Sequence, residues 1–265
     1  MVKKSILDVI FMSEKRKNLL LLLGEGPHEM NTILKELKVS RQSLLPQIKI
    51  LHENRLIYKK RDVYSLTRIG KLIVSEMVPL TNTLKVLEDN YEYWTTHDFS
   101  VIPEEMFTRL KELGHCDMVE PDLDDMFELN QLSVDRMLNS KYVLAVTAYL
   151  HPSHPSIFSR FLEQGKEVVI IMSEQSFKKL RADYHDEVEK FIKGELTNIY
   201  IYCDELKLAS FVTTDNFMLL CLFNNEGRYD HRDLIFCSEN AIHWGKDLFE
   251  HFKENSRLVT ESWPE

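Results

Sequence analysis

The sequence predicts an α+β winged helix-turn-helix domain at the N-terminus, a helical linker, and an α/β domain at the C-terminus. Three observations carry this. Charge is divided: residues 1–70 hold fourteen Lys and Arg against seven Asp and Glu, whereas the remainder holds nineteen against thirty-five. Helical patterns in the basic part give way to two short strand-like runs, and from Tyr142 onward strands alternate with helices. A length of 265 residues suits two domains of ordinary size. The boundaries follow as 1–70 for the basic module, 71–138 for the linker and 139–265 for the α/β domain.

In the basic module, Ser13–Leu23 reads as a helix with Ser13 at its N-cap, and Met30–Leu37 as another after the loop Gly24, Glu25, Gly26, Pro27. Val39 and Ser40 make a short turn, and Ser40 is placed to cap a third helix whose Leu44, Ile48 and Leu51 step by four and three. That stripe belongs to the core. The other side offers Arg41, Gln42, Ser43, Gln47 and Lys49, side chains that hydrogen-bond base edges and phosphates from a helix in a major groove. Pro46 lacks an amide hydrogen and predicts either a kink or a later helix start. Leu56–Tyr58 and Val63–Leu66 read as strands around the tip Lys59, Lys60, Arg61, Asp62, a hairpin suited to phosphate contact. Thr67 caps the next helix.

The linker carries Ile73, Met77, Leu80, Leu84, Leu87, Tyr91 and Trp94 in steps of four and three, a seam that wants a partner helix. That spacing predicts a homodimer, with a kink at Pro79. A stripe packed on the chain's own second domain is the competing explanation.

In the acidic part, Tyr142–Leu150, Lys166–Ser173 and Asn198–Cys203 read as strands, with a helix over Ser156–Gly165 and a long polar helix over Phe177–Lys193. Strand, helix, strand implies parallel pairing with right-handed crossovers. Two more strands, Leu208–Phe217 and Phe217–Asn224, precede a helix over Asn240–Asn255 that packs Ile242, Leu248, Phe249 and Phe252 on the sheet. Cys203 and Cys221 read as core thiols. The four cysteines are far apart with no CxxC pair, which points to a reducing, cytoplasmic setting without disulfides or a zinc knuckle. Apolar runs such as Leu19–Leu23 are far short of a membrane span of about 20 residues.

For chemistry, "HPSHP" sets His151 and His154 just past a strand, where α/β sheets bind ligands, and "YDHRD" sets Asp230, His231 and Asp233 together. These five residues form the candidate effector site. There is no GxSxG, P-loop, GxGxxG or HExxH, and neither a metal nor a cofactor is expected.

The stretch "VSRQSLLPQIKILHENRLIYKKRDVYSLTRIGKLIV" resembles the recognition helix, wing and following helix of ArsR-like archaeal winged-helix regulators. "HDFSVIPEEMFTRLKELG" and "LLCLFNNEGRYDHRDLIFCSENAIHWGKDLFEHFKENS" resemble segments of the methanogenesis regulatory proteins, and the resemblance spans residues 9–256. It implies an archaeal transcription regulator whose second domain senses or assembles, with relatives acting on methane-forming and one-carbon genes. The later sheet also resembles the phospholipase D-like effector domains of sugar-responsive archaeal regulators. The hydrolytic HxKxxxxD motif is absent, since Asp233 stands where the lysine belongs. The expected partners are therefore double-stranded DNA, a second copy of the chain and a small-molecule effector. The DNA contacts would come from Ser40, Arg41, Gln42, Ser43, Gln47 and Lys49 on the helix, with Lys59, Lys60 and Arg61 on the wing. The alternative is a small-molecule enzyme or ligand-binding protein that the basic module merely localises.

Overall fold

The leucines of the basic segment close a core of their own. In the computed structural model, which describes residues 5–121, 129–260 and 263, the chain divides into two units, Met1–Asn82 and Thr83–Glu265. The first contains α1 (Ile6–Phe11), α2 (Glu14–Glu25), β1 (His28–Glu29), α3 (Met30–Glu36), α4 (Arg41–Glu53), β2 (Ile57–Lys60) and β3 (Val63–Leu66), and α5 (Arg68–Asp89) starts in it. Leu19, Leu20, Ile33, Leu44, Leu51 and Leu56 are fully buried there, each contributing about 2 kcal/mol of apolar burial. β3 lies between β1 and β2, antiparallel to both.

Two chain reversals shape the unit without glycine. α3 and α4 are followed by left-handed residues, Lys38 (φ 51°) and Arg55 (φ 56°). The next amides, of Val39 and Leu56, reach back to the carbonyls of Leu34 and Leu51 at 3.2 and 3.0 Å. These six-to-one bonds satisfy carbonyls that a helix end leaves open and turn the chain sharply. α4 begins at Arg41 and runs through Pro46, so the later start is not what happens. Thr67 caps α5 as expected, its Oγ1 accepting from the Gly70 amide at 3.0 Å.

The second unit holds α6 (Tyr91–Thr96), α7 (Glu104–Phe107), β4 (Cys116–Val119), α8 (Gln131–Leu138), β5 (Tyr142–Thr147), α9 (His154–Glu163) and β6 (Glu167–Met172). It continues with α10 (Glu174–Asp183), α11 (His185–Lys193), β7 (Thr197–Tyr202), β8 (Leu208–Thr214), β9 (Met218–Leu222), β10 (Asp233–Phe236), α12 (Glu239–Glu254) and β11 (Ser256–Leu258). Among the described residues eight strands form one sheet in the order β11-β7-β6-β5-β8-β9-β10-β4. β5, β6 and β7 pair in parallel, and every other pairing is antiparallel. Both faces are covered. Along β5, Val146 belongs to the core cluster that holds Trp94, Trp244 and Phe249 of α6 and α12, whereas Val143 belongs to the one that holds Ile157, Phe158 and Phe161 of α9 on the opposite side.

Several expectations need correction. Residues 83–121 and 129–138 are not a separate helical linker, because they fall within the second unit and β4 supplies an edge strand of its sheet. The seven-residue seam is split: α5 ends at Asp89, Met77 is buried in the first unit's core and Trp94 in the second's. Asn90, at φ −142°, breaks the helix between Leu87 and Tyr91. Leu80 and Leu84, 49% and 41% exposed, are the parts of that stripe that remain open on α5 together with the exposed Tyr91 on α6. The helix expected over Phe177–Lys193 is two helices, parted at Tyr184. Cys203 follows β7 and is exposed, so it is no core thiol, unlike Cys221.

Candidate nucleic-acid interface and interior cavity

In the first unit, Ser40 caps α4, its Oγ accepting from the Ser43 amide at 3.3 Å, while the Ser43 hydroxyl donates to the Ser40 carbonyl at 2.9 Å. The cap holds Arg41 and Gln42 exposed at the helix N-terminus. Lys49 is also exposed, 3.9 Å from Glu53 one turn on. Gln47 is placed differently from the sequence expectation. Its Oε1 accepts from Arg16 Nη1 at 2.9 Å and from the Ser13 hydroxyl at 3.4 Å, so it faces α2. Arg16 is itself buried and donates to the carbonyls of Val9 and of Asp8, the latter at 3.2 Å. Gln47 therefore ties α4 to α2 and is occupied by that task.

On the wing, Lys59 and Lys60 belong to β2, and the loop is only Arg61 and Asp62, with Arg61 left-handed at φ 56°. Lys59 Nζ lies 3.0 Å from Asp62 and 5.4 Å from the Tyr64 ring centroid. A pair this exposed is screened by water and held only weakly, so it does not commit Lys59 to Asp62. Lys60 and Arg61 are exposed.

In the second unit a cavity of about 240 Å³ opens on the sheet face covered by α8 and α9. Val143 and Ala145 of β5, Ile170 of β6, Val212 of β8 and Leu219 of β9 make its floor, and Met137, Ile157 and Phe161 its apolar walls. Four of the five candidate effector residues, His151, His154, His231 and Asp233, reach it. They meet through two residues that motif reasoning passes over. The Tyr149 ring is 5.8 Å from both His154 and Tyr229, and Tyr229 is 4.6 Å from His231 and donates its hydroxyl to Asp233 Oδ1 at 2.8 Å. Tyr149 stands two residues before "HPSHP" and Tyr229 opens "YDHRD", so proximity in sequence was the available signal. Asp230 does not reach the cavity. It accepts from Arg232 at 2.7 and 2.9 Å and pairs with the buried His97 at 3.2 Å.

Electrostatics differ between the two aspartates. Burial opposes ionisation of Asp230, but the bonds from Arg232 and His97 hold its carboxyl below the usual range. Burial dominates at Asp233 and pushes its carboxyl up, despite its bonds to Cys221 and Tyr229. Burial, with a smaller repulsion from His151, lowers His154 to about 4. The Cys221 thiol and the Tyr149 and Tyr229 hydroxyls are all raised, by burial first. Among the described residues no group of three or more His, Cys, Asp or Glu is placed to hold a metal ion, and no helix is long and apolar enough to cross a membrane.

Residues 4–85 match the family described as methanogenesis regulatory protein FilR1, N-terminal domain, and residues 126–255 match the middle domain of the same family. The chain is 31% identical over 266 residues to the methanogenesis regulatory protein FilR1 of Methanothrix harundinacea (strain 6Ac), a match that covers 98% of this chain and 59% of that protein. The chain thus spans well under two thirds of that relative's length. Among solved structures, TrmBL2, described as an archaeal chromatin protein with a novel mode of DNA binding, aligns over 96% of this chain and 97% of its own with 13% identity and a TM-score of 0.44. The phospholipase D family member Nuc from Salmonella typhimurium aligns over 56% of this chain and all of its own with 8% identity and a TM-score of 0.39. Neither likeness is close enough to carry an argument.

Proposed function

The chain belongs to the methanogenesis regulatory protein FilR1 family, and we propose that it is a sequence-specific DNA-binding transcription regulator. Its first unit acts as a winged helix-turn-helix and its second receives a small-molecule signal. The observation that carries this is the exposed basic surface of α4 and the wing in an otherwise acidic chain. Arg41 and Gln42 stand at the N-terminus of α4, the end of a recognition helix that meets base edges. Ser40 and Ser43 set that end, and Lys49 lies on its outer side. Lys60 and Arg61, with Lys59 once released from Asp62, supply phosphate contacts that position the module. The acidic remainder is repelled by the duplex, so only the basic units dock.

The protein acts in this reading as a homodimer, with the exposed Leu80 and Leu84 at the joint, and its targets are genes of methanogenesis or one-carbon metabolism, as the relative's name suggests. No catalytic role is assigned. Hydrolysis of the phospholipase D kind needs a lysine two residues after the histidine, and Asp233 occupies that place after His231. The test is binding of the full chain to fragmented genomic DNA of its source organism across a salt series, with the bound fragments sequenced. Enrichment of a few promoters with an inverted repeat is the expected result. Uniform binding that vanishes by about 0.15 M salt would reduce the basic face to general electrostatics.

A further inference from the structure

We infer that the cavity beneath α8 and α9 is a receptor site for an uncharged, mainly apolar small molecule of about ten non-hydrogen atoms with one hydrogen-bonding head group. The inference deepens the proposed function and rests on its reading of the second unit as the one that receives a signal.

Size comes first. A dry cavity of about 150 Å³ accepts benzene with its six carbons, so the 240 Å³ found here scales to roughly ten non-hydrogen atoms. Chemistry follows from the walls. Floor and sides are mostly aliphatic or phenyl carbon, with Asn130, Ser133 and Ser210 as polar exceptions, so most of the ligand must be apolar. The titratable groups gather around Tyr149, His154, Tyr229 and Asp233, just beyond the C-terminal end of β5 and at the first residue of β10, so the head group belongs at that end.

Charge is decided by what the lining lacks. Among the described residues that line the cavity none is a Lys or Arg, and the one carboxylate, Asp233, already accepts the Tyr229 hydroxyl. An anionic ligand would meet no fixed cation there and would face that carboxylate. A cationic ligand would have to strip the same carboxylate of its bond and share the space with the histidines. An ion drawn from water into this surrounding without a partner is strongly disfavoured. The buried groups show the same bias in both directions, since Asp233 is shifted towards its acid form and His154 towards its neutral one.

Two further observations point to an occupant. The hydroxyl of Ser133, a residue only 4% exposed, lines the cavity and has no hydrogen-bond partner among the described residues. A buried orphan of this kind is rare in a folded interior and marks a place where another molecule completes the bonding. His231 is held in the left-handed region at φ 63°, a conformation that disfavours a residue with a side chain and that collects at ligand sites.

The experiment is calorimetric titration of the full-length chain at about pH 8, where free imidazole is neutral, with octanamide, octanoate and octylamine. These share a chain length and differ in charge. Octanamide is expected to bind one to one with a negative heat-capacity change, and both ions at least about tenfold more weakly. Ala145→Phe, which fills the cavity floor, should abolish octanamide binding. The comparison of the three ligands on the unaltered protein stands whether or not that variant folds. Absence of saturable octanamide binding, or an ion bound as tightly as the amide, would overturn the inference. Duplex affinity is measured on the same preparation to separate it from the regulator reading. A protein that binds DNA but not octanamide loses only the receptor site, and one that binds octanamide without ever binding a duplex keeps the site and loses the regulator.

Discussion

Acid should weaken the second unit through His154, and the size of the effect can be worked out. The His154 ring stacks on Phe158 with centroids 5.8 Å apart, lines the cavity, and has its basicity lowered by burial to about 4. In the unfolded chain the same imidazole titrates near 6.5. Between those values the unfolded state binds a proton that the folded state refuses. Stability is therefore complete above about pH 6.5 and is lost as pH falls towards 4. At about 1.36 kcal/mol per pKa unit, the loss at pH 5 relative to pH 7.5 is about 2 kcal/mol, and less where water enters the cavity. Asp233 works the other way, because its raised carboxyl lets the folded state keep a proton and favours the fold at lower pH. The informative quantity is thus the difference between the natural protein and His154→Phe, which keeps the ring stack and removes the titration. Urea unfolding followed by tryptophan fluorescence reads the correct unit, since Trp94, Trp244 and Trp263 all lie in the second one. Equal losses in the two proteins between pH 7.5 and pH 5 would refute the reasoning.

Other outcomes follow from the first unit and the sheet. Lys60→Ala should weaken binding to all duplexes alike and reduce the slope of log affinity against log salt by about 0.9 for each phosphate no longer neutralised, whereas Arg41→Ala should flatten the preference among promoter fragments; identical behaviour of the two in a fluorescence anisotropy series would undo the division of roles. Gly70→Ala would set its Cβ 2.1 Å from the Leu56 carbonyl oxygen, a backbone atom that also accepts from Thr67, so α5 must separate from the wing and the first unit should lose several kcal/mol in thermal unfolding. Ser40→Ala removes the α4 cap and should cost about 1 kcal/mol by circular dichroism melting, with a matching loss of duplex affinity if the end of α4 frays. Gly245→Ala would press on Met218 Sδ and Thr213 Oγ1, both at 2.9 Å, and should destabilise the second unit by about 1 to 3 kcal/mol without touching DNA binding.

Local pattern determined the first unit almost by itself. Leu44, Ile48 and Leu51 have helical spacing, Ser40 is a strong cap, and alternation around the basic tip leaves little choice but a hairpin, because each of these signals acts within a few residues of where it is written. Charge segregation likewise set the expectation of a basic first part and an acidic remainder. What sequence could not reveal depended on distant partners. Gln47 looked like a base reader until Arg16, thirty-one residues away, claimed its carbonyl oxygen. The stripe from Ile73 to Trp94 has heptad spacing, but Met77 and Trp94 are buried in different cores, because periodicity says which residues share a face and not what covers it. Asp230 and Asp233 lie three residues apart and look alike in sequence, yet pairing with His97 and Arg232 takes one out of the cavity while β10 aims the other into it. The cavity itself gathers segments from Val119 to Asp233, so its volume, its orphaned Ser133 hydroxyl and its lack of fixed cations among the described residues arise only when the sheet is closed. Burial and charge are properties of a surrounding, and a surrounding exists only after folding.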